Sequence, residues 1–395
     1  MEEEITNPEI FPKPIEREPL LTDEGVEAEL IDTPLMLMDK PFDHTKIDIQ
    51  TKTYSLNNLI NRMERGTIQM NTESYFQRQD DLWDTVKQSR LIESILLRFP
   101  LPAFFFDATN ENKWLVVDGL QRLSSIRNFC IIKDHKKRLK LTNLEFLTQL
   151  NGLTWDDLVN DFGDLERVIE ETQVVIYMIM PGTPTDVKFN IFKRINTGGL
   201  TLEPQEIRHV LFHGRPAEFI AELANCKEFI QATGGKIKTH RMLDRDFANR
   251  FLSFYLLGYQ NYQPDLDTFM CRAMASINRK SEDDLLKIKD DFKEAMILSM
   301  EIFGGQAFRK DYGDSPRLQP INKALFDAIA VQFALLSAER RKMLKAYKEL
   351  FKSSLREMLL RDVGFYDSIT SSTGDKNKII YRHRSIETLI KTLIN

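Results

Sequence analysis

The chain has 395 residues, 42% hydrophobic and 29% charged, with a formal net charge of −5. That balance belongs to a water-soluble globular protein long enough for two lobes, and it excludes a fibrous or wholly disordered chain. The apolar runs fall short of the roughly 18 to 20 residues that cross a bilayer, and the first residues are acidic rather than basic-then-apolar, so a cytoplasmic protein with no membrane partner is expected.

Charge is uneven along the chain. Residues 1–40 hold twelve acidic and three basic side chains, a net of −9, which leaves about +4 on the rest. With Pro8, Pro12, Pro14, Pro19 and Pro34, residues 1–45 read as an acidic leader, mobile or draped on the surface. A sharper reading has it covering a basic groove and competing with nucleic acid.

Residues 46–214 read as a mixed lobe. Between Asp80 and Phe99 the apolar residues Trp83, Val86, Ile92, Ile95, Leu96 and Phe99 recur at helical spacing, and Pro100 and Pro102 stop the helix. Ala103–Phe106 and Lys113–Val117 read as two strands joined by a polar turn. The apolar run then breaks at Asp118-Gly119, and a helix follows to Ile132. Gly119 allows a sharp turn or a close ligand approach, and the first turn of the following helix offers N–H groups and a positive dipole end to an anion. Gln121, Arg122 and Ser124 stand beside those donors. The same residues also suit a plain turn followed by a solvated helix face.

Thr154–Glu171 is polar and partly helical, Gln173–Met180 is a strand, and Pro184 opens a helix to Ile195 with Thr183 as its cap. Asn196-Thr-Gly-Gly199 ends that helix, and Leu202-Glu-Pro-Gln-Glu206 starts the next, which carries Arg208. Arg194, Asn196 and Gly198 sit where a groove receives a base, a ribose or a phosphate, although a helix stop followed by a capped start needs these residue types for local reasons too.

Residues 215–395 read as a helical lobe, with segments 216–231, 244–259, 265–278, 281–303, 322–337, 338–360 and 385–394 and a capping box at Ser281 and Asp284. Arg309–Arg317 and Tyr381–Arg384 combine basic and aromatic groups in the manner of a nucleic-acid backbone contact. Cys130, Cys226 and Cys271 are odd in number and widely spaced, which fits reduced core thiols. His209 and His213 lie four apart with no third ligand at a useful distance, so the pair is expected to be structural and no metal site is assigned.

Asp118-Gly-Leu-Gln-Arg122, together with Tyr75-Phe-Gln-Arg78, Gln88–Pro102, Thr172–Met180 and Phe189–Arg208, resembles the N-terminal domain of GmrSD-type restriction enzymes in order and spacing. Their hallmark is Asp-Gly-Gln-Gln-Arg, and Leu120 here replaces one amide. The resemblance implies an α+β fold related to ParB and sulfiredoxin: a small mixed sheet with helices, followed by the helical lobe. It also implies that Gly119 and Arg122 hold nucleotide phosphates with Gln121 beside them and Arg78 near by. Three roles are open to Asp118: orienting Arg122, holding a metal-bound water, or acting as a base.

The ligands so implied are an NTP, with or without Mg2+, and DNA. Many relatives add a C-terminal HNH-like nuclease, whose clustered His and Asn residues have no counterpart here; His240 and His383 stand far apart. The expected protein is a nucleotide-dependent DNA-recognition component of a restriction or antiviral defence system, an NTPase whose Asp118, Gln121 and Arg122 act on phosphate. Its partner is a separate nuclease or a second copy. The alternative is a regulatory module that binds DNA or nucleotide through the same turn without turnover.

Overall fold

The computed structural model describes residues 25–29, 44–70, 83–110, 112–134, 136–195, 202–313 and 318–394. They fall into a mixed unit within residues 42–202 and a helical unit made of residues 203–395 with residues 25–29.

The mixed unit is built on β1 (Ile49–Ser55), β2 (Ile68–Gln69), β3 (Phe104–Asp107), β4 (Trp114–Asp118) and β5 (Gln173–Ile179), in spatial order β1-β5-β3-β4-β2. β1 runs antiparallel to β5, with Ile49 opposite Ile179 and Ser55 opposite Gln173. β3 lies parallel to β5 and antiparallel to β4, with a register shift between Phe105 and Phe106. This is the small mixed sheet expected. Strand β5 alternates as a half-buried strand should, with Val174, Ile176 and Met178 inside and Val175 outside.

Helices α1 (Leu56–Glu64), α2 (Thr85–Leu96) and α3 (Leu120–Cys130) cover the sheet's apolar side, and Leu59, Ile92, Ile95, Leu123, Ile126 and Phe129 meet Phe104, Phe106 and Ile176 in one core. Ser55 and Asp84 cap α1 and α2 through their side-chain oxygens. The second helix is shorter than its apolar pattern suggests: Asp84 fixes its start, and Arg98, at φ +60°, stops it before the prolines do. Helices α4 (Trp155–Asp161) and α5 (Gly163–Glu171) lead into β5, and α6 (Thr185–Ile195) follows it. The Thr183 hydroxyl, read from sequence as the cap of α6, accepts from the Asp48 backbone N–H at 3.3 Å.

The helical unit runs from α7 (Pro204–Leu211), which opens with the capping box of Glu203 and Glu206, to α17 (Lys376–Ile394). Its centre is α13 (Lys323–Ala334), where every residue from Ala324 to Ala334 is buried, as expected of a helix surrounded on all sides. Around it pack α10 (Leu243–Leu257), α12 (Glu282–Phe303), α16 (Val363–Thr370) and α17. The capping box of Ser281 and Asp284 is formed. Phe229, Phe247 and Phe308 meet the Phe326 ring edge-on, and Phe292 packs against Phe229.

Charge runs through this core. Arg208 binds Asp246 and Asp267 at 2.9 and 2.8 Å, Lys323 binds Asp246 at 3.0 Å, and Asp327 takes Arg250 at 2.8 Å and Arg382 at 3.1 Å. Arg382 and His383 are fully buried, His383 stacking on Tyr259, and Arg309 is buried with a guanidinium bond to the Gln319 carbonyl. Arg382, His383 and Arg309 therefore serve the core and are not available for the nucleic-acid contact read from composition, whereas Tyr381 and Arg384 of the same run are exposed. Residues 25–29 of the acidic leader are likewise built into this unit: Val26 is fully buried and Glu27 nearly so.

Candidate functional site

Strand β4 delivers Asp118 to the edge of the core, and the chain turns at Gly119 into α3. Gly119 sits at φ +98°, the left-handed region, and a Cβ there would lie 2.5 Å from Cδ1 of the buried Phe104 ring. Among the described residues no side chain caps the helix that follows. The first-turn N–H groups of Leu120, Gln121 and Arg122 have no acceptor within their own helix, and they project with the positive end of the helix dipole. Leu120 itself packs against the apolar core, which is what the exchange of the motif's amide for leucine accomplishes here.

Arg122 turns inward and is 8% exposed. Its Nη2 donates to Asp118 Oδ2 at 3.0 Å and to the Ala103 carbonyl at 3.1 Å, its Nη1 donates to the Pro102 carbonyl, and the group lies 4.5 Å from the centre of the Phe104 ring. Burial lowers the Arg122 pKa below the usual guanidinium value although Asp118 pulls the other way, and the group stays charged. Of the three roles open to Asp118, orienting Arg122 is the one this geometry contains.

Gln121 accepts from the Trp83 backbone N–H at 3.2 Å, tying the turn to the chain ahead of α2. Ser124 is buried, and its Oγ has no hydrogen-bond partner among the described residues, whereas Ser125 next to it bonds the Gln121 carbonyl at 2.8 Å. The turn thus joins Asp118, Gly119, Gln121 and Arg122, and Ser124 follows on the second turn of α3. Arg194 lies exposed in the last turn of α6. Arg78, Asn196 and Gly198 lie outside the described residues.

Two polar clusters of this unit escaped the sequence reading. Lys188 on α6 reaches Asp107 at 2.9 Å and Thr109 at 2.7 Å, pinning α6 to the end of β3. Asp-x-Thr at 107–109 is the spacing of an Asx turn, and Asp107 accepts from the Thr109 N–H at 2.9 Å. Asn128 of α3 donates to Gln88 of α2 at 3.1 Å, and Gln88 donates to the Trp83 carbonyl at 2.7 Å, so Trp83 is held from both sides of the turn. A buried amide pair on two apolar faces leaves no periodic trace in sequence.

The arrangement offers a phosphate group backbone donors at a helix start, on a turn made rigid from behind by Arg122 and by the Phe104 ring that packs against Gly119. Residues 56–213 match the family model described as the GmrSD restriction endonuclease, N-terminal domain. No curated protein and no solved structure matches the chain. The matched stretch runs from α1 to just past α7 and contains the whole of Asp118–Ser124. Over residues 56–213, the chain therefore carries a member of the GmrSD restriction endonuclease N-terminal domain family.

Proposed function

We propose that this protein is the nucleotide-dependent DNA-recognition component of a restriction or phage-defence system, with a nucleoside triphosphate held by its phosphates at the start of α3. The supporting observation is the helix start at Gly119, uncapped among the described residues and locked from behind by Arg122 and Asp118. The donor set fits phosphate: the amides at the helix start, with the Ser124 hydroxyl, which has no hydrogen-bond partner among the described residues, one turn further along. Bound there, the nucleotide supplies a transferable phosphoryl group and the Mg2+ that travels with it.

The protein residues bind and orient. Gly119 allows the left-handed turn against the Phe104 ring that sets the direction of the helix start, and Gln121 and Ser124 hold the phosphate. Arg122 works as a positioning residue, since both its terminal nitrogens are engaged by Asp118 and two carbonyls. DNA cleavage is assigned to a partner nuclease. Arg122's commitment favours a second reading, a module that grips nucleotide or DNA phosphate as a switch without turnover, because a guanidinium held this way is not aimed at a developing charge.

Equilibrium binding and phosphate release, measured with each NTP in the presence and absence of DNA, test both. Binding with release supports the hydrolase, and binding alone supports the switch. Absence of binding to any NTP removes the nucleotide from the proposal.

A further inference from the structure

Residues 25–29 lie in the helical unit as an extended segment carrying two carboxylates, and each enters its own polar slot. The Glu27 N–H donates to the Ile321 carbonyl at 2.8 Å, the Ile321 N–H donates to the Gly25 carbonyl at 3.2 Å, and Val26 bridges Ile321 in parallel. The Glu27 carboxylate takes Lys310 Nζ at 2.5 Å and Asn322 Nδ2 at 2.9 Å. Two residues on, Glu29 accepts from Arg250 Nη1 at 2.9 and 3.0 Å and from the Thr373 hydroxyl at 2.6 Å, with Lys323 at 3.9 Å.

We propose that this groove is a receptor for an extended acidic peptide of the pattern apolar-acidic-x-acidic, and that Val26–Glu29 is its tethered ligand. Independently of any nucleotide at the α3 turn, the helical unit thus carries a second binding site whose resident occupant is the chain's own leader.

Charge argues for a ligand rather than a core element. The cationic groups the segment covers keep other partners: Arg250 retains Asp327 at 2.8 Å and Lys323 retains Asp246 at 3.0 Å. Lys310, ion-paired to Glu27, stands over the Tyr366 ring at 5.4 Å. The segment itself helps exclude water from these cations, so its departure trades each carboxylate for solvent. Burial works against the Glu29 carboxylate, yet Arg250, Lys323 and the Thr373 hydroxyl together hold it below its ordinary pKa. The slots are therefore built for anions: Lys310 and Asn322 meet the Glu27 carboxylate, and Arg250 and the Thr373 hydroxyl meet that of Glu29.

The test uses the full chain with a protease recognition sequence inserted after Pro34, so that cleavage severs residues 1–34 from the body. On gel filtration at about 0.15 M salt the fragment is expected to co-elute with the body, and in the Glu27→Gln, Glu29→Gln double variant it should be lost with at least tenfold weaker association. The body stripped of fragment in high salt should keep its helical circular dichroism and bind a labelled synthetic peptide of residues 20–34, while the uncleaved chain should bind little of it. Equal release of the fragment from both sequences would overturn the proposal. So would loss of the helical signal on stripping, because the segment would then be part of the core.

Discussion

Arg122 and Asp118 face each other across one turn of chain, Nη2 to Oδ2 at 3.0 Å, and the same guanidinium also holds the carbonyls of Pro102 and Ala103. The pair joins the end of β4 and the start of α3 to the segment that enters β3, so the shape of the Gly119 turn depends on it. Removing the guanidinium leaves two carbonyls and a partly buried carboxylate without their donor.

Arg122→Ala is therefore expected to lower stability by about 2–4 kcal/mol, the usual cost of stripping one partner from a buried charged network. Arg122→Lys should recover part of that, since an ammonium cannot span three acceptors in the guanidinium plane. Urea denaturation followed by circular dichroism checks both. An unchanged midpoint for the alanine variant would mean that the carbonyls find other donors, and that Arg122 is available to a ligand after all.

Gly119→Ala tests the backbone. The left-handed φ of +98° and a Cβ placed 2.5 Å from the Phe104 ring act together, and that ring is fully buried and has no room to retreat. A loss of about 2 kcal/mol or more is expected, with phosphate-ligand affinity falling in step because the helix start is displaced. Wild-type stability for the alanine variant would show that the turn relaxes freely.

How far the sequence revealed this molecule depends on the kind of signal each element leaves. Strands β3, β4 and β5 and the turn at Gly119 were legible because they are apolar runs broken by Asp-Gly or bounded by polar residues. Strand β1, Ile49–Ser55, was not, because it is an edge strand of Thr, Gln and Lys exposed along most of its length. The turn was recognised from its residue types, but the inward direction of Arg122 was invisible, since its acceptors are backbone carbonyls 19 and 20 residues earlier. Arg382 and His383 misled for a related reason: the carboxylate that allows them to be buried, Asp327, is 55 residues from Arg382. Glu27 and Glu29 were hidden inside a run of charges whose average suggested only solvation.

Ser124 separates a structural role from a binding role. Its buried hydroxyl has no partner among the described residues, so Ser124→Ala should change stability by no more than about 0.5 kcal/mol, or raise it slightly. Affinity for the phosphate ligand should nevertheless fall several-fold. Measuring thermal midpoint and ligand affinity on the same preparation distinguishes the two effects. Loss of stability with unchanged affinity would take Ser124 out of the site.

Acid should loosen the helical unit through Asp246. Burial opposes its carboxylate, but Lys323, Arg208 and Arg250 outweigh that and bring its pKa down to about 2, from an ordinary 3.8. The folded-state value is the lower one, so this contribution is complete above about pH 4.5 and lost as pH falls toward 2, on the order of 2 kcal/mol in all. Glu29 is lowered as well and adds in the same direction. Thermal midpoints between pH 2 and 5 should fall more steeply for the native chain than for Asp246→Asn, which starts lower at neutral pH because Lys323 and Arg208 lose a partner. Parallel curves would show that Asp246 does not carry the effect.

The leader has to be cut at two places to learn what it does. Residues 1–24 hold eight acidic and two basic side chains, a net of −6, whereas residues 25–29 supply the carboxylates that meet Lys310 and Arg250. Deleting residues 1–24 should leave the thermal midpoint unchanged and strengthen DNA association at low salt, a gain that fades as screening rises. Deleting residues 1–40 removes Val26, Glu27 and Glu29 too and should lower the midpoint by several degrees. Any extra DNA affinity of that longer deletion is then assigned to the uncovered Lys310 and Arg250 only if Lys310→Gln abolishes it. Equal DNA affinity for the full chain and the 1–24 deletion at low salt would mean that the acidic arm does not compete with DNA, and equal midpoints for the two deletions would mean that Glu27 and Glu29 add nothing to the helical unit.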